Sequence, residues 1–450
     1  MMRHIPDTPS GLRRPRRRFI LGRWLALLVL TAAGHTACTP VWPVDEPPLS
    51  SDAEAVQAAV EQLTAAREPG VPYMYRETGF HSGQARKGES LRTDLERVWT
   101  FSGVNVGIHT ASKSSPVADE ERVYVGADSG HLYTLDKVTG ELLWQWEARP
   151  SQNGIHATPA VDETHVYIGN YAGWLSALNK TTGEFVWETD LGDSIGASPV
   201  IVGDRIYAGV ETRQPNGYLS IVDRASGRHL RDSARLGDHT HCTPTVDPEL
   251  GRVYLGSNRG QFHCLDADDA SELWRFTVRG AELDLIGSSS RPSIHGQIKS
   301  TAALVEQRVL FTSWDDRLYC LDAGNGEELW SFKTGRCCMS SPAVDPVQRR
   351  VYVGSHDARV YAVDFDTGEQ VWAFVAGARV YSSPVIVPRT DGEGNLVVIG
   401  SCDESVYMLD GDTGDAVWQA QLDGAITSVP LVSDQRLYVS TDGGDLVCWE

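Results

Sequence analysis

From residue 97 the chain alternates short apolar runs, rich in Val, Tyr and Leu, with turns rich in Asp, Thr and Gly, and the alternation keeps one frame. Its clearest copy is Val351-Tyr352-Val353-Gly354, then Tyr361-Ala362-Val363-Asp364, then Thr367-Gly368-Glu369, then Trp372. The frame returns at 123–144, 166–187, 253–274, 309–330 and 398–418. Spacing inside it is strict: ten residues separate Gly126 from Asp136, Gly256 from Asp266, Gly354 from Asp364 and Gly400 from Asp410, with Asn179 taking the Asp place after Gly169. A Pro-led strand, usually behind Ser or Thr, opens the units at Pro116, Pro159, Pro199, Pro244, Pro342, Pro384 and Pro430, with Ala302 in the remaining place.

Each unit reads as four short strands of period two. The Asp-x-x-Thr-Gly stretch is a hairpin turn: the carboxylate accepts from backbone N–H groups inside the turn, and Gly supplies the positive φ that closes it. One four-stranded sheet cannot bury both faces, whereas sheets stacked radially bury them all. The ends set the number. The last unit stops at Cys448-Trp449-Glu450 without its fourth strand, and the first is preceded by an orphan Val98-Trp99-Thr100-Phe101 that matches one. Residues 97–450 shared among eight units give about 44 per unit. The expectation is an all-β, eight-bladed propeller closed by its N-terminal strand, which removes exposed sheet edges.

Composition narrows the partners. The net charge is −20 over 450 residues. Residues 1–38 hold seven Arg and one Asp, a net of +6, so the rest carries −26. So acidic a surface repels phosphate backbones, and nucleic acid is excluded as a partner. The basic start, Arg13, Arg14, Arg16, Arg17 and Arg18, precedes an apolar stretch from Phe19 to Ala33 and small residues ending at Thr36-Ala37-Cys38. This order describes a signal peptide over 1–38, too short for a comfortable membrane span. Arg16-Arg17-Arg18-Phe19-Ile20-Leu21 also fits a twin-arginine pattern. Cys38 fits a lipidated cysteine, although His35 stands where an aliphatic residue is usual; cleavage near Ala33 or Ala37 is the alternative. Thr39, rather than Asp, after that cysteine favours sorting to the outer membrane. Residues 39–96 read as a Pro-rich tether, one short amphipathic helix opened by Ser51 and Glu54, and a loop.

The pattern Val363-Asp364-Phe365-Asp366-Thr367-Gly368-Glu369-Gln370-Val371-Trp372 resembles the PQQ-type (pyrrolo-quinoline quinone) repeat, and the likeness covers about four-fifths of the chain. That repeat builds eight-bladed propellers in quinoprotein dehydrogenases and in BamB-type outer-membrane assembly lipoproteins. The resemblance implies that Trp99, Trp144, Trp187, Trp274, Trp330, Trp372 and Trp418 dock each blade on its neighbour. Arg231 replaces that Trp in the third blade, and Ala270 replaces the turn Gly in the fourth.

Candidate chemistry sits in the loops before the Pro-led strands, which should gather at one channel mouth. Three residues before each Pro place stand Lys113, His156, Gly196, His241, Lys299, Met339, Tyr381 and Thr427; five before, His239, Cys337 and Arg379. A ring with Lys113, His156, His241, Lys299, Arg336 and Arg379 suits an anionic ligand or a partner, unless those charges only balance nearby carboxylates. His239 and His241 stand at i, i+2 as metal ligands can, but no third ligand is identifiable and no metal is assigned. Cys337-Cys338 is a candidate vicinal disulfide, a pair that neighbours the cofactor in some quinoprotein dehydrogenases; the calcium-holding and proton-abstracting carboxylates of that family have no match here. Cys264, Cys320 and Cys448 occupy one repeated small-residue slot and read as core. Insertions at 211–217 and 277–297 lie on the mouth side with Arg213, Arg279, Arg291 and Arg336, where loops on a rigid scaffold bind partners.

No nucleotide loop, nucleophile elbow or zincin motif occurs. The leading reading is a non-catalytic, monomeric, lipid-anchored envelope scaffold. It holds no cofactor and contacts envelope proteins such as the outer-membrane barrel-assembly machinery. The alternatives are a PQQ-dependent oxidoreductase and a ligand sensor using the channel mouth.

Overall fold

In the computed structural model the described residues are 73–76, 81–86, 88–104, 114–151, 154–212, 216–281 and 294–450. The expected signal peptide, Cys38, tether and short helix, together with Lys113, Arg213 and Arg291, lie outside them. The strands form eight four-stranded antiparallel sheets. Seven are consecutive in sequence. In the eighth, Arg97–Ser102 pairs with Asp445–Trp449 at the C-terminus, Trp99 opposite Cys448 and Phe101 opposite Leu446. The chain is thus an eight-bladed β-propeller closed by its first strand, and almost no helix interrupts it. No helix among the described residues is long and apolar enough to cross a membrane.

Burial departs from period two in the middle of each blade. Arg350–Ser355 is covered at every position after the first, because the second and third strands meet a neighbouring blade on both faces and so read as continuous apolar runs. Only the outer strands alternate, as in Leu142–Glu147. Each outer strand carries a bulge: Ala362 pairs with Trp372 while Val363 pairs with Gln370, which leaves Val371 unmatched. The bulge re-aims the Trp side chain. Opposite it stands the small slot noted in the sequence: Cys264 faces Trp274, Cys320 faces Trp330 and Cys448 faces Trp99. Burial pushes these three thiols up to about 12, so they act as packing rather than chemistry.

The Trp residues do reach the next blade. Trp144 Nε1 donates to the Lys180 carbonyl at 3.1 Å, Trp330 to Phe365 at 3.0 Å and Trp372 to Gly411 at 3.0 Å. Each ring lies flat on the turn Gly of that blade: a Cβ built on Gly183 would stand 2.7 Å from Trp144, and one on Gly368 2.7 Å from Trp330. Trp418 uses a ring contact instead, edge-on to Trp449 at 5.8 Å.

A second lock encircles the axis. In seven of the eight blades the N–H of the residue before the Pro place donates to the Ser or Thr hydroxyl of the next blade. Ser115 donates to Thr158, Thr158 to Ser198, Ser198 to Thr243, Thr243 to Thr301, Thr301 to Ser341 and Ser341 to Ser383, over 2.9–3.2 Å. Val429 N–H returns to Ser115 at 2.9 Å. The hydroxyl acts as the clasp. Pro follows it because that position donates no backbone hydrogen bond.

Candidate functional site

The channel is a cup with a floor. The segment before the first strand, which has no periodic pattern, runs across one end of the ring. Tyr73 bridges to Val161, Gln84 to Ile386 and Leu91 to Arg389. Arg76 Nη2 donates to the Pro342 carbonyl at 2.7 Å, and His81 Nε2 lies 3.0 Å from that of Pro244. These partners lie at or after the Pro places of blades two, four, six and seven, at the end remote from the mouth. Tyr75 from this segment joins the lining of a central cavity of about 300 Å³.

The cavity wall is made by the ring of residues three before each Pro place: His156, Gly196, His241, Lys299, Met339, Tyr381 and Thr427 all line it. Sequence reasoning missed a second ring, two residues beyond the Gly place of each second strand, which Thr312 and Ser440 fill in blades five and eight. It comprises Asp128, Tyr171, Glu211, Asn258, Trp314, His356, Cys402 and Asp442. The signal lay in the same repeat frame, at a position filled by seven residue types in eight blades, which therefore forms no visible motif.

The two rings interlock as two arcs. In blades five to seven, Lys299 Nζ sits 4.5 Å above the Trp314 ring. Its burial there lowers its pKa, opposed by the carboxylates of Glu211 and Asp238. His356 stacks edge-on to Tyr381 at 4.3 Å, and the Arg379 guanidinium lies over Tyr381 at 5.4 Å. Burial, then Arg379 and Arg336, hold the His356 pKa down to about 4, so the ring is neutral. Cys337 and Cys338 are unbridged thiols here. Cys337 Sγ lies 2.8 Å from His356 Nδ1, while Cys338 is buried with its sulfur 3.3 Å from Thr334 Oγ1. Burial raises the Cys337 pKa, so this pair is not a preformed thiolate.

In blades two to four, His156 stacks edge-on to Tyr171 at 4.8 Å. His241 Nδ1 lies 2.8 Å and His239 Nδ1 3.7 Å from the carboxylate of Glu211. Glu211, Tyr171 and His239 also line an outer cavity of about 690 Å³. Of the arginines placed at the mouth, Arg336 and Arg379 are there and exposed. Arg279 instead pairs with Glu328 at 2.6 Å on the outer strand of blade five, away from the mouth.

The arrangement is a cationic and aromatic arc facing an imidazole–carboxylate arc over a closed cup. A family model described as outer membrane protein assembly factor BamB matches residues 88–240 and 287–450. A search of curated proteins finds no match. Among solved structures, BamB from Moraxella catarrhalis is similar at 20% identity and TM-score 0.60, over 79% of this chain and 99% of that one. A europium-containing methanol dehydrogenase is similar at 14% identity and TM-score 0.68, over 88% and 100%. Quinohemoprotein alcohol dehydrogenase from Comamonas testosteroni is similar at 13% identity and TM-score 0.68, over 88% and 84%. At such identities these structures share the fold, which serves both binding and catalysis. The family match spans well over half of the chain, and the protein therefore belongs to the family of the outer membrane protein assembly factor BamB, with PQQ-type repeats as its blades.

Proposed function

We propose that the protein is a non-catalytic scaffold of the cell envelope that holds proteins of outer-membrane assembly, anchored through a lipid on Cys38. The observation that carries this reading is the family match to an outer-membrane assembly factor over residues 88–240 and 287–450. The geometry is consistent with it. The rim presents exposed Arg336 and Arg379 on an otherwise acidic protein, and blade three carries a lengthened hairpin at Glu211–Gly217. Long loops on a rigid ring are suited to protein contacts.

Crosslinking in intact cells, followed by purification from detergent-solubilised envelope, tests the reading. Recovery of a barrel-assembly protein, lost on shortening 277–297 or in Arg336→Glu/Arg379→Glu, supports it; recovery of the propeller alone overturns it. Cys38→Ser should release the protein from the membrane fraction and abolish labelling by a fatty-acid probe.

The quinone reading meets an obstacle in the donor set. A calcium ion takes six to eight oxygen ligands. Among the described residues, no Asp or Glu lines the central cavity. The rim carboxylates Asp128, Glu211 and Asp442 sit in three different blades, and Asp442 already accepts from Thr427 at 2.8 Å. A calcium-held quinone therefore does not fit these residues, and no redox step is assigned to them.

A further inference from the structure

We propose that Glu211, His239 and His241 form a binding site for one zinc-class divalent ion in the channel rim. One donor atom from each of the three lies within 4.8 Å of the other two, the one such group among the described residues. Glu211 ends the second strand of blade three. A pair of backbone hydrogen bonds to Ser194, of 2.9 and 3.1 Å, holds it in place. The two histidines come from the loop that leads into blade four. Buried Thr240 between them sets both imidazoles on one side, their rings 6.0 Å apart and nearly perpendicular.

Two details point to a cation-binding set rather than a satisfied polar cluster. Glu211 is only 5% exposed, yet its Oε1 accepts no hydrogen bond, although His241 Nδ1 stands 2.8 Å away off the bonding line. A buried carboxylate oxygen left without a donor is costly. His239 Nε2 lies 2.9 Å from the Thr212 carbonyl. That contact places the ring proton on Nε2 and turns the Nδ1 lone pair towards Glu211 Oε2, 3.7 Å away. A lone pair facing a carboxylate is repulsive unless a proton or a metal ion lies between them, and the spacing of a tetrahedral site favours the metal ion. A backbone acceptor on the far nitrogen is the usual way a metal-binding imidazole is oriented.

The distances suit the ion. Bonds of about 2.1 Å in a tetrahedron put ligand atoms about 3.4 Å apart. His239 Nδ1 faces Oε2 and His241 Nδ1 faces Oε1; one donor atom of each residue already lies within 4.8 Å of the others, so closing the set on a single carboxylate oxygen takes a shift of roughly an ångström. Two imidazoles and one carboxylate favour zinc over calcium or magnesium and leave a fourth position. The outer cavity, lined also by Asp193, supplies an entry path and room for that fourth ligand. Histidine spacing alone could not reveal the site, because Glu211 arrives from another blade.

The test is calorimetric titration of the chelator-stripped, full-length protein with zinc sulfate, with stoichiometry checked by elemental analysis. One ion per chain is expected in the wild type and in Cys337→Ser/Cys338→Ser, and none in Glu211→Gln or His239→Ala/His241→Ala. Circular dichroism should be the same for all. Wild-type protein that binds no zinc at low micromolar concentration, or ligand variants that bind as wild type does, would overturn the site. Should a variant misfold, cobalt loading of the wild type decides. Tetrahedral d–d bands without a thiolate charge-transfer band support the nitrogen–oxygen set, and a thiolate band refutes it.

Discussion

At the residue scale, six of the eight blade joints are a contact between one Trp and one Gly. The turn Gly has φ near 73° in Gly140, Gly183 and Gly368, and its missing Cβ is what admits the ring. The two departures from the repeat, Arg231 and Ala270, prove to be the two halves of a single joint. Ala270 keeps the left-handed turn at φ 56°, so its methyl occupies the space that the ring fills elsewhere. The residue opposite is an exposed Arg instead of Trp. Gly368→Ala should therefore cost about 1–3 kcal/mol by overpacking. Arg231→Trp should gain stability only when combined with Ala270→Gly, a coupling that a double-mutant cycle in thermal unfolding would read.

The hydroxyl ring has a comparable defect, since Val429 stands where the other blades carry Ser or Thr. Val429→Thr supplies the acceptor for Ser383 N–H and should add about 1 kcal/mol, whereas Ser341→Ala, which orphans Thr301 N–H, should cost about 1–3 kcal/mol. Denaturant midpoints measure both. His356 adds a pH signature. Its proton is held at about 6.5 in the unfolded chain but only at about 4 in the buried site. The unfolded state thus binds more protons between these values. Stability is complete above 6.5 and falls as the pH drops towards 4, by roughly 1.4 kcal/mol per unit. His356→Gln should flatten the stability profile in that window; an unchanged slope would refute the assignment.

At the scale of elements, the segment before the ring acts as a floor, although it has no regular structure of its own. Its backbone groups pair with the inner strands at the end away from the mouth. Leu91 is fully buried among Val385, Val387 and Leu396. Leu91→Ala should cost about 2–5 kcal/mol, as for a core leucine, and should raise proteolysis of the segment before that of the blades. Equal cleavage rates would mean that the floor is not held as described. Nothing periodic marks this segment, because its hydrogen bonds go to residues far away in sequence. Its contacts are specified by the ring, not by its own pattern.

Over the whole molecule, stability depends on one closure. Trp99 is 9% exposed. It stacks on Tyr438 of the C-terminal blade at 5.8 Å and lies against Gly140 of the first. It therefore joins both ends of the ring. Trp99→Ala should cost about 3–5 kcal/mol and more than Trp418→Ala, which leaves closure intact. Unfolding followed by tryptophan fluorescence would compare the two. Closure also bears on the proposed scaffold role, because a rigid ring holds the rim loops and side chains at fixed separations.

The strand pattern, the repeat frame, the number of blades and the closing strand could all be read along the chain, because each depends on short spacings that recur. So could the ring three before each Pro place, since one repeat position maps to one height in the channel. The second ring, the floor and the Glu211–His239–His241 cluster could not. Each joins residues from different blades, and their side chains vary from unit to unit, so no local pattern records them. A repeat written in sequence dictates the scaffold through local turns and burial. The chemistry of the mouth arises where eight unlike copies of the same position meet around one axis, and only closure of the ring sets those distances.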